Sequence, residues 1–364
     1  MRGNLLIEKR QANMNILVTG GCGFIGSHFI EYFLKTYPRS KVVNIDALTY
    51  AAHPDMPKYL ETLAPGRYSF SQKNIADSSL KSWAKGQSFD AIINFAAETH
   101  VDRSILDPDS FVRTNILGVQ NLLALAREMG NIRLVHVSTD EVYGSLSLED
   151  PTSVETSSLD PNSPYAASKA SADLLALASS RTYNQPVLIT RCTNNYGPYQ
   201  FPEKLLPLLI ANAMENKPIP VYGDGKQIRD WIYVVDHCRG IDAVLQKGRS
   251  GEIYNISASG EAHNIDVIKK VLDLLEKPHS LITYVGDRPA HDRRYGLDST
   301  KIRNELGWKP LVSFEEGLRK TVDWYLGNVD WWKKVRGADY LKYYQANYEK
   351  KFGLPDKNSK EVSS

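Results

Sequence analysis

The sequence predicts an α/β protein: a doubly wound parallel sheet with a smaller, mixed α/β C-terminal lobe. Three observations predict it. Short β-branched runs alternate with stretches whose apolar residues recur at helical spacing, the first run ends on a glycine cluster, and the alternation stops near Gly197. Strands that alternate with helices need right-handed crossovers, which cover both faces of a parallel sheet.

Taken in order, Asn15-Ile16-Leu17-Val18-Thr19 reads as a strand halted by Gly20-Gly21, and apolar residues at helical spacing from Phe24 to Tyr37 read as a helix. Strands follow at Lys41 to Ile45 and Tyr68 to Gln72, then a helix around Ser79 to Lys85 and a strand from Asp90 to Phe95. A long helix from about Ser110 to Met129 leads to the strand Ile132 to Ser138. Next come a helix carrying Tyr165 and Lys169, with Leu174, Leu175 and Leu177 among its apolar positions, and the strand Val187 to Thr190, where the sheet is expected to end. Beyond Gly197 the pattern changes to separate helices, such as Ile265 to Glu276 and one opened by the capping box Ser313-Phe314-Glu315-Glu316.

Composition limits the function. The 364 residues balance 44 basic against 42 acidic side chains, so no general attraction to nucleic acid or anionic lipid is expected. Cys22, Cys192 and Cys238 stand alone, which argues against a metal site and a disulfide framework and fits a reducing cytoplasm. No run of about 18 apolar residues is present to cross a membrane. Residues 1–13 read as a disordered leader with Met14 as an alternative start, and Lys357 to Ser364 as a solvated tail.

Gly20, Gly23 and Gly26 form G-x-x-G-x-x-G after a strand and at the opening of a helix, where backbone N–H groups and the helix dipole favour a pyrophosphate. Alone, such a triplet also serves a tight turn. Asp46 ends the second strand 20 residues after Gly26, where a carboxylate accepts both ribose hydroxyls and repels a 2′-phosphate. A Rossmann-type domain binding NAD rather than NADP is the expectation. Ala96 and Ala97, after Asn94-Phe95, are small enough for close backbone approach, although packing explains them equally well.

Tyr165 and Lys169, at i and i+4, share a helix face, and an ammonium beside a phenol is expected to lower its pKa, so that Tyr165 takes a proton from an alcohol as hydride leaves. Thr139, Asp140 and Glu141 sit at the C-terminal end of a strand, the ligand-binding edge of open α/β sheets. Thr139 can hydrogen-bond the reacting hydroxyl, and two adjacent carboxyl groups can divide acid and base roles. An acidic pair in a polar turn is the ordinary alternative.

The runs T-G-G-C-G-F-I-G at 19–26, F-A-A-E-T-H-V-D-R-S at 95–104, S-T-D-E-V-Y-G at 138–144 and Y-A-A-S-K at 165–169 resemble the extended short-chain dehydrogenase/reductase superfamily. Within it, the chain is most similar to the dTDP-glucose 4,6-dehydratases, from about Met14 to Leu326. Further matching runs are R-C-T-N-N-Y-G-P-Y-Q-F-P-E-K-L at 191–205, G-D-G-K-Q-I-R-D-W at 223–231 and G-D-R-P-A-H-D-R-R-Y at 286–295. The resemblance implies a lyase in which Tyr165 deprotonates the sugar 4-hydroxyl, Glu141 removes the C5 proton, and Asp140 protonates the departing 6-hydroxyl. Lys169 would hold the nicotinamide ribose.

The resemblance also implies a cofactor site of Gly20, Gly23, Phe24, Ile25, Gly26, Asp46, Ala47, Leu48, Thr49, Asn74, Ile75, Ala96, Ala97, Thr114, Tyr165, Lys169 and Asn195. For the nucleotide-diphosphate hexose it implies His100, Thr139, Asn194, Lys204, Leu205, Pro220, Tyr222, Arg229, Asn264 and His291. Two departures stand out: Ala47-Leu48-Thr49-Tyr50-Ala51-Ala52-His53 replaces a common K-L-T-Y-A-G-N, and Asn74-Ile75 replaces aspartate-isoleucine. The expected division is 1–13 leader, 14–197 NAD-binding domain with the catalytic residues, 198–330 mainly nucleotide-sugar lobe, and 331–364 C-terminal extension. A homodimer through helices near 110–129 and 165–182 is implied by resemblance. A UDP-sugar 4,6-dehydratase, an NAD-dependent nucleotide-sugar epimerase or decarboxylase, and a non-catalytic NAD-binding protein remain as alternatives.

Overall fold

The computed structural model describes residues 13–337. The expected leader up to residue 12, the tail at 357–364 and the extension from 338 onward lie outside the described residues. The chain forms two interleaved compact units, one of 13–195, Asp230–Glu261 and Arg294–Val312, the other of Tyr196–Arg229, Ala262–Arg293 and 313–337.

Twelve strands occur among the described residues. They are β1 Asn15–Thr19, β2 Lys41–Asp46, β3 Tyr68–Gln72, β4 Ala91–Asn94, β5 Arg133–Thr139, β6 Val187–Cys192, β7 Asn194–Tyr196, β8 Ile219–Tyr222, β9 Ile228–Tyr233, β10 Ile253–Ile256, β11 Glu261–His263 and β12 Ile282–Val285. In the first unit seven make one sheet in the order β10-β6-β5-β4-β1-β2-β3, every pairing parallel. β1 is central, with Leu17 opposite Val43 of β2 and Ile92 of β4. The strand order reverses at β1, so the loops leaving β1 and β4 diverge there and open the crevice in which such sheets bind ligands. Leu17, Ile92, Leu134 and Ile189 pack with Leu122 and Leu123 of the Gly118–Glu128 helix in one core.

Three sequence expectations need correction. The sheet does not end at β6, because β10 pairs with it, Ile253 opposite Ile189. This four-residue strand, entered just after Gly251 at φ +83, is too short to show a period of its own. The cut expected at 197 is accordingly one of several chain crossings, since 230–261 and 294–312 return to the first unit.

Second, the helix expected from Ser110 to Met129 is broken by a π-helical segment, Val112–Leu117, between Pro108–Phe111 and Gly118–Glu128. Such a turn carries an extra residue per turn, and here Asn115 is buried while Val112 and Leu117 are exposed. Third, Leu174 faces outward on the Pro164–Tyr183 helix, whereas Leu175 and Leu177 pack on the core.

The second unit pairs β8 with β12 in parallel, Ile219 opposite Ile282, beside the helices Leu205–Met214, Asn264–Leu274 and Phe314–Gly327. The last is capped as its sequence predicts, Ser313 Oγ accepting from Glu316 N at 3.2 Å. Among the described residues no helix is long and apolar enough to cross a membrane.

Candidate active site

The glycine turn is built by close approach. Gly20 has φ +71, and a Cβ there would lie 2.5 Å from Ala96 N; a Cβ on Gly26 would lie 2.3 Å from Gly20 O. Neither position accepts a side chain without moving backbone. A Cβ on Gly23 would meet only Gly20 O, at 3.3 Å. Gly23 is the N-cap of the Phe24–Thr36 helix, so no capping side chain competes for the first-turn N–H groups around Phe24 and Ile25.

Asp46 closes the turn from the neighbouring strand. Its Oδ2 accepts from Cys22 N at 2.9 Å and its Oδ1 from Leu48 N at 2.8 Å. Burial raises its carboxyl pKa, and these two N–H groups oppose the rise. Each carboxylate oxygen offers further lone pairs to ribose hydroxyls. Beyond it, Leu48 sits in the left-handed region at φ +54, Gln72 donates to Ala47 O at 3.2 Å, and Thr49 is exposed. Asn74 folds on itself, Oδ1 accepting from Ala76 N at 2.9 Å, and Ile75 is buried against Gly118. Ala96 and Ala97 are half-buried after β4, and Thr114 is half-buried in the π-helical segment.

The end of β5 brings the predicted catalytic groups together. Thr139 caps a 3₁₀ turn, Asp140–Tyr143; its hydroxyl accepts from Glu141 N at 3.3 Å and donates to Asp140 Oδ1 at 3.1 Å. Asp140 is buried and Glu141 half-buried. Ser163 caps the Pro164–Tyr183 helix, accepting from Ala166 N at 3.1 Å, and sets Tyr165 in its first turn. There the phenol is buried edge-on to Phe111 and hydrogen-bonded with Thr139.

The electrostatics of Tyr165 differ from the expectation. Burial, then the charges of Glu141, Cys192 and Asp140, hold the phenol well above 10, with Thr139 opposing. Lys169 does not lower it, because its Nζ donates to Val137 O of β5 at 2.7 Å instead. Burial pushes Lys169 itself down to about 8, against the charge of Asp173.

Several residues beside the site were not singled out from sequence. His136 of β5 is fully buried; its Nδ1 lies 3.0 Å from Asn94 Nδ2 and its Nε2 3.5 Å from Lys169 Nζ and 3.6 Å from Asp173 Oδ1. Asp173 also pairs with Arg191 Nε at 2.8 Å, and Arg191 lies over the Tyr143 ring. Asn115 clamps the loop after β4 to the catalytic helix, bonding Glu98 N and O and donating to Ser168 Oγ at 2.8 Å. Asp173 had one sequence signal: it extends the Tyr165, Lys169 stripe by another four residues.

Of the other predicted residues in this unit, His100 is buried at the start of the Val101–Leu106 helix, and Asn194 opens β7. Asn195 Nδ2 donates to Thr193 O at 3.0 Å, and its Oδ1 faces His237 Nδ1 at 2.9 Å.

Within the second unit, the structure groups Tyr222 and His291, their rings edge to face at 5.8 Å. His291 Nδ1 faces Asp287 Oδ1 at 2.5 Å and Gln227 Nε2 at 3.2 Å, and burial holds its pKa down to about 4. Arg229 is buried and turned to backbone, donating to Ile228 O at 2.8 Å and Asp292 O at 2.9 Å. Asn264 opens its helix with Oδ1 buried and lacking a hydrogen-bond partner among the described residues. Pro220 lies in β8, opposite Thr283, and Lys204 is the N-cap of the helix that begins at Leu205.

Comparison with known proteins agrees with this architecture. A family model described as GDP-mannose 4,6 dehydratase matches residues 17–321. The dTDP-glucose 4,6-dehydratase of Salmonella typhimurium strain LT2 is 47% identical over 92% of this chain and 99% of its own length. Among solved structures, the dTDP-glucose 4,6-dehydratase of Streptomyces venezuelae, with NAD and TYD bound, superposes with a TM-score of 0.85 at 48% identity, covering 88% of this chain and all of that one. The Bacillus anthracis enzyme, in complex with NAD, gives 0.82 at 47% identity over 88% of this chain and 99% of the other. With identity at this level along nearly its whole length, the chain belongs to the dTDP-glucose 4,6-dehydratase family of the extended short-chain dehydrogenase/reductase superfamily.

Proposed function

We propose that this protein is an NAD-dependent lyase that converts dTDP-glucose to dTDP-4-keto-6-deoxyglucose and water. The observation that carries the reading is the grouping at the end of β5: Thr139 hydrogen-bonded to Asp140, Glu141 next in sequence, and the Tyr165 phenol beside them. An epimerase needs only Tyr165 and Thr139; elimination of water needs a second acid and base.

The cofactor fits the first unit. Gly20 and Gly26 leave no space for a side chain, Gly23 leaves the helix mouth bare, and Asp46 stands at the end of β2 for the ribose. Lys169 is read as holding the nicotinamide ribose, with Thr114, Asn195 and the Ala96-Ala97 backbone as further cofactor contacts. Bound NAD supplies a nicotinamide that accepts hydride from C4 and returns it to C6.

The protein's own residues move the protons. Thr139 donates to Asp140 Oδ1 and stands beside the Tyr165 phenol, which puts one hydroxyl between the two proton-carrying groups. Tyr165 then takes the 4-hydroxyl proton, and Asp140 holds the proton that leaves with the 6-hydroxyl as water. Glu141 removes the C5 proton and restores it after hydride return. The count closes: one water is lost, and its second hydrogen comes from the 4-hydroxyl.

The second unit is read as binding the nucleotide. Tyr222 and His291 supply ring faces, the buried Asn264 Oδ1 awaits a donor, and Lys204, Leu205, Pro220 and Arg229 are read as further contacts. In the first unit His100 and Asn194 are read as substrate contacts. A homodimer is supported by the outward apolar side chains Leu106, Val112, Leu117 and Leu174 on the helical segments of the first unit. The three cysteines are free and buried, which supports a cytoplasmic setting.

The test is incubation with dTDP-, UDP-, GDP- and CDP-glucose and mass analysis of the products. Loss of one water from the dTDP sugar is expected. A product of unchanged mass, or no product, would contradict the reading.

A further inference from the structure

Around Lys169 lie buried groups that the reaction scheme does not use. From its own helix comes Asp173; from β5, His136 and Ser138; from β6, Arg191 and Cys192. Lys169, Asp173, Arg191 and His136 are all buried, with Asp173 and His136 fully so.

The hydrogen bonds fix the state of His136. Thr19 Oγ1 donates to Asn94 Oδ1 at 2.6 Å, which turns Asn94 Nδ2 toward His136 Nδ1. Nδ1 is therefore an acceptor, while Nε2 lies 3.5 Å from Lys169 Nζ and 3.6 Å from Asp173 Oδ1, which has no hydrogen-bond partner among the described residues. Burial and the nearby Lys169 and Arg191 hold this histidine well below 6.5, so it stays neutral. Cys192 is pushed upward by burial and stays a thiol. That leaves two cations and the carboxylate of Asp173.

A buried ammonium with one carbonyl acceptor loses its proton unless an anion stands near. Asp173 lies one helical turn beyond Lys169 on the same face. Arg191 Nε, 2.8 Å from Asp173 Oδ2, keeps its carboxylate from turning away.

We propose that Asp173 is a positioning residue for the reaction: anchored by Arg191, its buried carboxylate keeps Lys169 an ammonium. The inference rests on the assignment of Lys169 and Tyr165 given above. Of the charges acting on Lys169, that of Asp173 is the largest opposing the effect of burial.

The experiment compares the pH profile of kcat/KM in Asp173→Asn and Asp173→Asn/Arg191→Gln with that of the wild type, each as purified holoenzyme with its NAD content measured. The double variant removes a charge of each sign, so it separates an effect on Lys169 from an unpaired Arg191. The alkaline limb is expected to move down by about one pH unit or more in both, with kcat at pH 8 lowered about fivefold or more and KM within about twofold. Asp173→Glu should restore the limb. A folded, NAD-loaded double variant with the wild-type profile overturns the proposal.

Should the variants lacking the carboxylate fail to fold, Arg191→Gln alone keeps it and removes the cation that anchors it. The limb must then move, and an unmoved limb overturns the proposal. Lys169→Met separates the two levels: unchanged turnover in that variant would sink the assignment of Lys169 itself.

Discussion

Asp140 and Glu141 are neighbours in sequence with different surroundings, and that difference divides their roles. Asp140 is buried and receives the Thr139 hydroxyl, whereas Glu141 is half-buried with its backbone N–H held by the same hydroxyl. Replacing Glu141 with Gln should slow C5 deprotonation by about 10² to 10⁴ while NAD stays bound. Solvent deuterium entering C5 measures that step, and an unchanged rate would refute the assignment. Lys169, lowered to about 8, is an ammonium below that pH and neutral above it. The kcat/KM of the wild type should therefore fall as pH rises through about 8, read from a steady-state profile; a plateau to pH 10 would show that the charge is not needed. These residues were legible because each motif is contiguous or one helical turn long. His136 and Arg191 were not, being single polar residues inside apolar strands whose partners lie on other elements. The expected effect of Lys169 on Tyr165 failed for a similar reason: the carbonyl that holds Nζ, Val137 O, belongs to β5.

At the scale of elements, the turn between β1 and the Phe24–Thr36 helix depends on backbone packed against backbone. Gly26→Ala would set a methyl 2.3 Å from Gly20 O, and that carbonyl cannot yield without opening the turn. The variant should purify with much less NAD, read from its absorbance or by mass after denaturation, and lose about 1 to 3 kcal/mol of stability. Full occupancy would show that the turn does not hold the pyrophosphate. Glycine spacing, Asp46 and the strand–helix alternation made this element readable from the sequence. β10 was missed, since four residues carry no period, and so was the π-helical segment, whose extra residue interrupts the helical one. Arg229 shows a third limit, because its acceptor Asp292 O lies 63 residues away.

For the whole molecule, the first unit exposes apolar side chains where a single copy would favour polar ones: Leu106 is 67% and Leu174 57% accessible. If a second copy covers them, Leu174→Glu should shift the protein from dimer toward monomer in sedimentation velocity, with the sheet intact by circular dichroism. A wild type that sediments as a monomer would remove the basis for the dimer. The two units were foreseen as successive domains, but the chain crosses between them repeatedly. Such crossings leave no compositional mark; the pairing of β10 with β6 discloses one, and the bridges of Leu146 to Arg294 and Ser153 to Leu297 disclose the other.

The central claim is that a hydride leaves C4 and returns to C6 of the same sugar within one binding event. dTDP-glucose carrying deuterium at C4, turned over by the purified holoenzyme in a large excess of unlabelled NADH, tests it most directly. The account predicts a 4-keto-6-deoxy product with the deuterium in its C6 methyl group. Product whose methyl group lacks the label, or deuterium appearing in the free NADH pool, would contradict it.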